Sequence, residues 1–129
     1  MLDPMQMTHL ERRLLDRREV LRAEIRVALQ ASSVERHREL AGAVHDAGDD
    51  SVADLLVDVN LKGMDRDARE FVEIGAALDR MARKAYGVCM DCGADIGYAR
   101  LEAQPAAARC IECEKRHEQR YGREQGRKL

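Results

Sequence analysis

Cys89-Met90-Asp91-Cys92-Gly93 and Cys110-Ile111-Glu112-Cys113 are two C-x-x-C pairs with 17 residues between them. Together they predict one tetrahedral zinc site: each pair turns two thiolates into the same small volume, and two pairs complete the coordination shell. All 4 cysteines of the chain are used. Four thiolates leave no position for water or substrate, so the zinc is expected to be structural, with Cys89, Cys92, Cys110 and Cys113 as its ligands. The competing readings are a pair of disulfides and a redox-active pair. The opening Met1-Leu2-Asp3-Pro4-Met5 has neither the charge nor the apolar run of a secretory leader, and no βαβ pattern surrounds either pair. The chain is therefore expected in the cytoplasm, where reducing conditions favour metal over disulfide.

Around the cysteines the module is expected to span residues 86–121. Gly87 and Gly93 flank the first pair, where a tight knuckle needs backbone freedom. Ile96 and Leu101 are the candidates for a small apolar core. Pro105 followed by Ala106, Ala107 and Ala108 reads as the first turn of a final helix that carries Cys110 and Cys113 on to about Tyr121. The polar tail 122–129 is expected to fray.

Upstream, residues 5–85 read as a long antiparallel helical hairpin, which makes the fold class mainly α. The segment 7–40 contains neither Pro nor Gly. Leu10, Leu14, Leu21, Ile25 and Ala28 recur at helical spacing, and Thr8 with Glu11 reads as a capping box. A turn is expected near 42–51, where Gly42, Gly48 and the aspartates interrupt the period. A second stripe follows through Leu55, Leu56, Val59, Met64, Ala68, Phe71, Ile74, Leu78, Met81 and Ala85, with Asp50 or Ser51 as its cap. Two long helices joined by a short turn run antiparallel and bury their stripes on each other.

Composition agrees. Charged residues make up 36% of the chain and aromatics 3%, the composition of helices rather than of a thick core. A net charge of -2 with interleaved signs gives no reason to expect sequence-specific DNA binding or a membrane surface. No Ser-His-Asp set, phosphate loop or buried carboxylate pair appears, so the chain does not read as an enzyme. His117 reads as exposed rather than as a fifth ligand. The basic residues of the last stretch are offset by Glu112, Glu114, Glu118 and Glu124.

The run Tyr86-Gly87-Val88-Cys89-Met90-Asp91-Cys92-Gly93, then Ile96-Gly97, Arg100-Leu101-Glu102-Ala103, Pro105, Ala107 and Cys110-Ile111-Glu112-Cys113 resembles the DksA/TraR zinc-finger family. The resemblance implies a regulator that binds bacterial RNA polymerase and inserts its coiled coil into the secondary channel. It also implies an acidic tip facing the polymerase active site. Counting back from Cys89 places the family's Asp-x-x-Asp-x-Ala tip on Asp46 and Asp49, with Ser51 where the family has Ala and an additional Asp50. Where alarmone-responsive members carry basic side chains, this chain has Glu73, Gln104 and Glu114. Carboxylates repel an anionic nucleotide, so guanosine tetraphosphate is not expected to bind by the usual site. Two rival readings are a transcript-cleavage factor whose Asp46, Asp49 and Asp50 hold magnesium, and a zinc-ribbon module with another partner.

Overall fold

The structure, a computed structural model, describes residues 2–31, 35–46 and 64–127, with the backbone alone at 45–46, 64–65 and 121–127. Asp3 starts the fold. Its carboxylate accepts the Gln6 N–H at 2.7 Å while the Gln6 side chain accepts the Asp3 N–H at 3.1 Å. This capping box, with Pro4 preset at a helical φ, opens helix α1, Pro4–Gln30. The box expected at Thr8 and Glu11 is not used. Thr8 already lies one turn inside the helix and donates its hydroxyl to the Pro4 carbonyl at 2.9 Å.

Helix α1 buries Leu10, Leu14, Leu21, Ile25 and Leu29. Ala28, expected on the stripe, is exposed, and Leu29 continues the four-residue spacing in its place. The uninterrupted helix expected over 7–40 is two helices. Helix α2, Glu35–Asp46, doubles back along α1, and the Arg22 Nη1 donates to the Val44 carbonyl at 3.4 Å. Helix α1 ends at Gln30 with Ala31 as its C-cap, and folding α2 back buries Ala41 and Val44 in the core.

Helix α3, Met64–Ala82, runs antiparallel to α1. Arg17 grips Glu70 with two bonds, at 2.6 and 3.1 Å, and this contact holds the Glu70 carboxyl below its ordinary range. Phe71, Ile74 and Ala77 form its buried face, with Ala68, Leu78 and Met81 half-buried beside them. Ala77 was absent from the expected stripe, and Ala85 is exposed beyond the helix end. Leu55, Leu56 and Val59, with the caps Asp50 and Ser51, lie outside the described residues. The Arg22 guanidinium stands 5.6 Å over the Phe71 ring, so one arginine links α1 to both α2 and α3.

Beyond α3 the chain turns through Lys84 at φ 60. The Ala85 N–H reaches the Arg80 carbonyl at 2.8 Å and the Lys84 N–H reaches Met81 at 3.1 Å, the crossed bonds of a Schellman cap. Glycine is the usual residue there because a Cβ crowds the left-handed backbone. Lys84→Gly is expected to raise stability by about 1 kcal/mol in urea titrations of the zinc-loaded protein. A loss of stability would show that the Lys84 side chain contributes more than its backbone costs.

The remaining helices are α4, Tyr98–Ala103, and α5, Ile111–Arg127. Helix α5 passes the Tyr121 at which the sequence reading ended it. The architecture is mainly α, with a single isolated bridge, Val88 to Asp95, among the described residues. None of the described helices is long and apolar enough to cross a membrane.

Candidate metal centre and the junction beside it

Between Gly87 and Ile96 the chain makes a narrow knuckle. Gly87 at φ +87 and Gly93 at φ +76 occupy backbone that side chains avoid, so the expected role of both glycines is met. The Ile96 N–H donates to the Gly87 carbonyl, and the Cys89 N–H to Ala94. At the top, the Gly93 N–H returns to the Cys89 carbonyl at 3.0 Å. These bonds aim Cys89 and Cys92 to the same side.

The second pair is mounted differently. Residues 105–110 form an irregular turn rather than the opening of a helix, and α5 begins only at Ile111. Pro105 is used through its carbonyl, which accepts the buried Tyr86 hydroxyl at 2.7 Å. Burial pushes that phenol up to about 12, against the pull of Arg80 and Arg13. Cys110 thus precedes α5, and Cys113 lies in its first turn, where the helix dipole favours thiolate. The Met90 N–H donates to the Ala108 carbonyl at 2.9 Å and joins the two knuckles.

All four Sγ atoms lie within 4.8 Å of one another, and Cys92 and Cys110 approach to 3.8 Å. A tetrahedron built on Zn–S bonds of about 2.3 Å has edges of about 3.8 Å. Donor set and spacing therefore fit zinc, which would be held as a tetrathiolate with no open position. Electrostatics agree. Burial alone would raise Cys89, yet backbone N–H groups of Cys110, Cys92 and Asp91 pull it down to about 6. Cys113 is pushed up to about 12, first by its contact with Cys110 and then by burial and the other two cysteines. Crowded thiols cannot all ionise unless a cation sits between them.

Arg109 ties this centre together. Its Nε donates to Asp91 at 2.8 Å, its Nη1 lies 3.9 Å from Glu114, and its carbonyl accepts the Arg100 Nε at 2.9 Å. Arg100 is thus occupied within the module. His117 is half-buried, not exposed, and no histidine joins the four cysteines among the described residues.

A cavity of about 730 Å³ opens where the module meets the rod. Glu73, Gln104 and Glu114 all line it, as do Arg13, Arg17, Arg100 and Arg109, which sequence reasoning missed. These arginines are already engaged: Arg13 with the Glu102 carbonyl, Arg17 with Glu70, and Arg100 and Arg109 as above. Of the two tip candidates, Asp46 is the last residue of α2, while Asp49 lies outside the described residues.

Comparison with known proteins gives a consistent picture. Residues 84–119 match the prokaryotic dksA/traR C4-type zinc finger. The chain is 32% identical over 117 residues to the RNA polymerase-binding transcription factor DksA of Caulobacter vibrioides, covering 89% of this chain and 78% of that one. It is 30% identical over 108 residues to the Escherichia coli protein of the same name, with coverage of 84% and 68%. Among solved structures, transcription factor DksA2 from Pseudomonas aeruginosa superposes with a TM-score of 0.59 at 29% identity, covering 92% of this chain and 88% of that one.

Proposed function

We propose that this protein, which belongs to the DksA/TraR family of C4-type zinc-finger proteins, is a transcription regulator that binds bacterial RNA polymerase through its secondary channel. The observation that carries the reading is a tetrathiol base bonded to an antiparallel helical rod, in a chain that matches RNA polymerase-binding factors over most of its length. Cys89, Cys92, Cys110 and Cys113 hold the structural zinc, and the zinc fixes the base. The zinc does no chemistry. The polymerase lies in the cytoplasm, where the protein would act.

Asp46 and Asp49 are the residues we assign to the polymerase active site, on the count of residues back from Cys89. Carboxylates there shift the polymerase between states and leave the RNA intact. The relatives are named as transcription factors, which favours this over a cleavage factor with a magnesium-holding tip. The junction cavity supports the absence of the usual alarmone site. Its arginines are committed to protein partners, while Glu73 and Glu114 add negative charge. An anionic nucleotide therefore finds no uncommitted guanidinium among these four.

In vitro transcription with Asp49→Asn beside wild type tests the reading. The variant is expected to bind core polymerase with wild-type affinity and to lose most of the effect on transcript yield. Equal activity from both would remove Asp49 from the mechanism, and failure of wild type to be retained by core polymerase would overturn the function itself.

A further inference from the structure

Helices α1 and α3 are paired in a register that puts Arg17 opposite Glu70. A plain hairpin with that register turns near residue 43 or 44, which is where the sequence carries its turn signals, from Gly42 onward. Helix α2 obeys a different register. With the Arg22 Nη1 on the Val44 carbonyl, it lies folded back beside α1. Leu21, Ile25 and Leu29 of α1 belong to the same buried cluster as Ala41 and Val44 of α2 and Phe71 and Ile74 of α3. The anchorage of α2 is slight. It has 12 residues, too few to hold a helix alone, and Ala41 and Val44 are its only fully buried apolar residues.

Nothing in the sequence forbids the other arrangement. Neither Pro nor Gly occurs between Met5 and Ala41, and Leu40 and Val44 continue the α1 stripe at helical spacing. A single helix through both segments would keep the α1–α3 register unchanged and carry Asp46 to the far end of the rod.

We propose that α2 is a retractable arm, folded back along α1 in the free protein and aligned with α1 as one helix when the protein occupies the polymerase. The inference rests on the polymerase reading above and adds its regulation: the retracted arm withholds Asp46 from the active site until binding. A partner whose channel accepts an extended rod binds only the extended form, and so draws the population toward it. In one continuous helix, residues 24 and 42 stand about 27 Å apart along the axis. In the folded-back form they lie side by side on neighbouring helices, about 8–10 Å between axes.

Electron spin-echo distance measurement on the full zinc-loaded chain separates the two. Labels go on as unnatural amino acids at Glu24 and Gly42, which leaves the cysteines untouched. Both sites are exposed, and a Cβ at Gly42 meets nothing within 4 Å. The expected result is a short distance in the free protein that lengthens by roughly 15 Å or more with excess core polymerase, from the helix geometry above. An unchanged short distance in a complex that demonstrably forms would sink the arm alone. A long distance in the free protein would do the same. Failure of the complex to form would instead remove the polymerase reading, and the arm with it.

Discussion

Cys113→Ser is expected to strip the protein of zinc and unfold residues 86–113 while the α1–α3 pair keeps most of its helical signal. The serine hydroxyl does not ionise near neutral pH, so the fourth ligand is lost rather than weakened. What remains is too small to stand. The apolar core of the module consists of Tyr86, Ile96 and Leu101 with the two buried cysteines, Cys89 and Cys113. Structural zinc contributes apparent binding free energies of about 10–16 kcal/mol in small zinc-finger peptides at neutral pH, and in such modules binding energy is folding energy. Chelation of the wild type should reproduce the variant, because both remove the same cation from among the thiolates. The checks are metal content after dialysis, one zinc per chain against almost none, and hydrogen exchange over the knuckles. A variant that keeps its zinc would mean that Cys113 is not a ligand. The effect should also reach the start of the chain. Leu2 packs against the buried cluster beside Gly87, so exchange at Leu2 to Met7 is expected to rise with that of the module.

The parts of the fold legible in the sequence are those set by local chemistry. Four cysteines at fixed spacing locate the metal centre, because a tetrahedral ion tolerates few arrangements of four short side chains. Gly87 and Gly93 were readable for the same reason: a knuckle that tight demands positive φ. The apolar stripes of α1 and α3 were readable too, since Leu10, Leu14, Leu21, Ile25, Phe71 and Ile74 sit at helical spacing and are buried. What escaped depends on contacts between distant segments. The end of α1 at Gln30 has no Pro or Gly to announce it; it goes with the burial of Ala41 and Val44 of α2 in the shared core. Pro105 reads as a helix opener, yet its carbonyl accepts the Tyr86 hydroxyl, 19 residues away, and the helix begins only at Ile111. The junction cavity gathers Arg13 and Arg17 from one helix and Arg100 and Arg109 from the module. No periodicity in a single segment encodes such a meeting.

Phe71→Ala is expected to be the most damaging substitution in the rod. Phe71 is the only phenylalanine of the chain and is 2% exposed. Truncating a buried phenylalanine costs about 3–5 kcal/mol, from lost transfer energy and from the cavity left behind. For a domain held by about 5–15 kcal/mol, that lowers the melting temperature on the order of 10–20 °C. The position makes collapse of the cavity hard. Arg22 roofs the ring at 5.6 Å while also donating to the Val44 carbonyl, so it cannot drop into the void without giving up α2. Arg22→Met keeps an apolar stem over the ring but removes both the guanidinium–ring contact, worth about 0.5–2 kcal/mol, and the bond to the Val44 carbonyl, so its cost is the sum of the two. The damage should stay in the rod, where Phe71 packs under Arg22 of α1: zinc content is expected to remain at the wild-type level. Thermal unfolding in zinc-saturated buffer is the measurement, and a shift of only a degree or two would show that the ring is not clamped between α1 and α3. A pair of variants, Cys113→Ser and Phe71→Ala, thereby tests whether base and rod unfold as separate units. If loss of Phe71 also released the metal, the rod would be part of what holds the knuckles closed, and the base would have no stability of its own to lend.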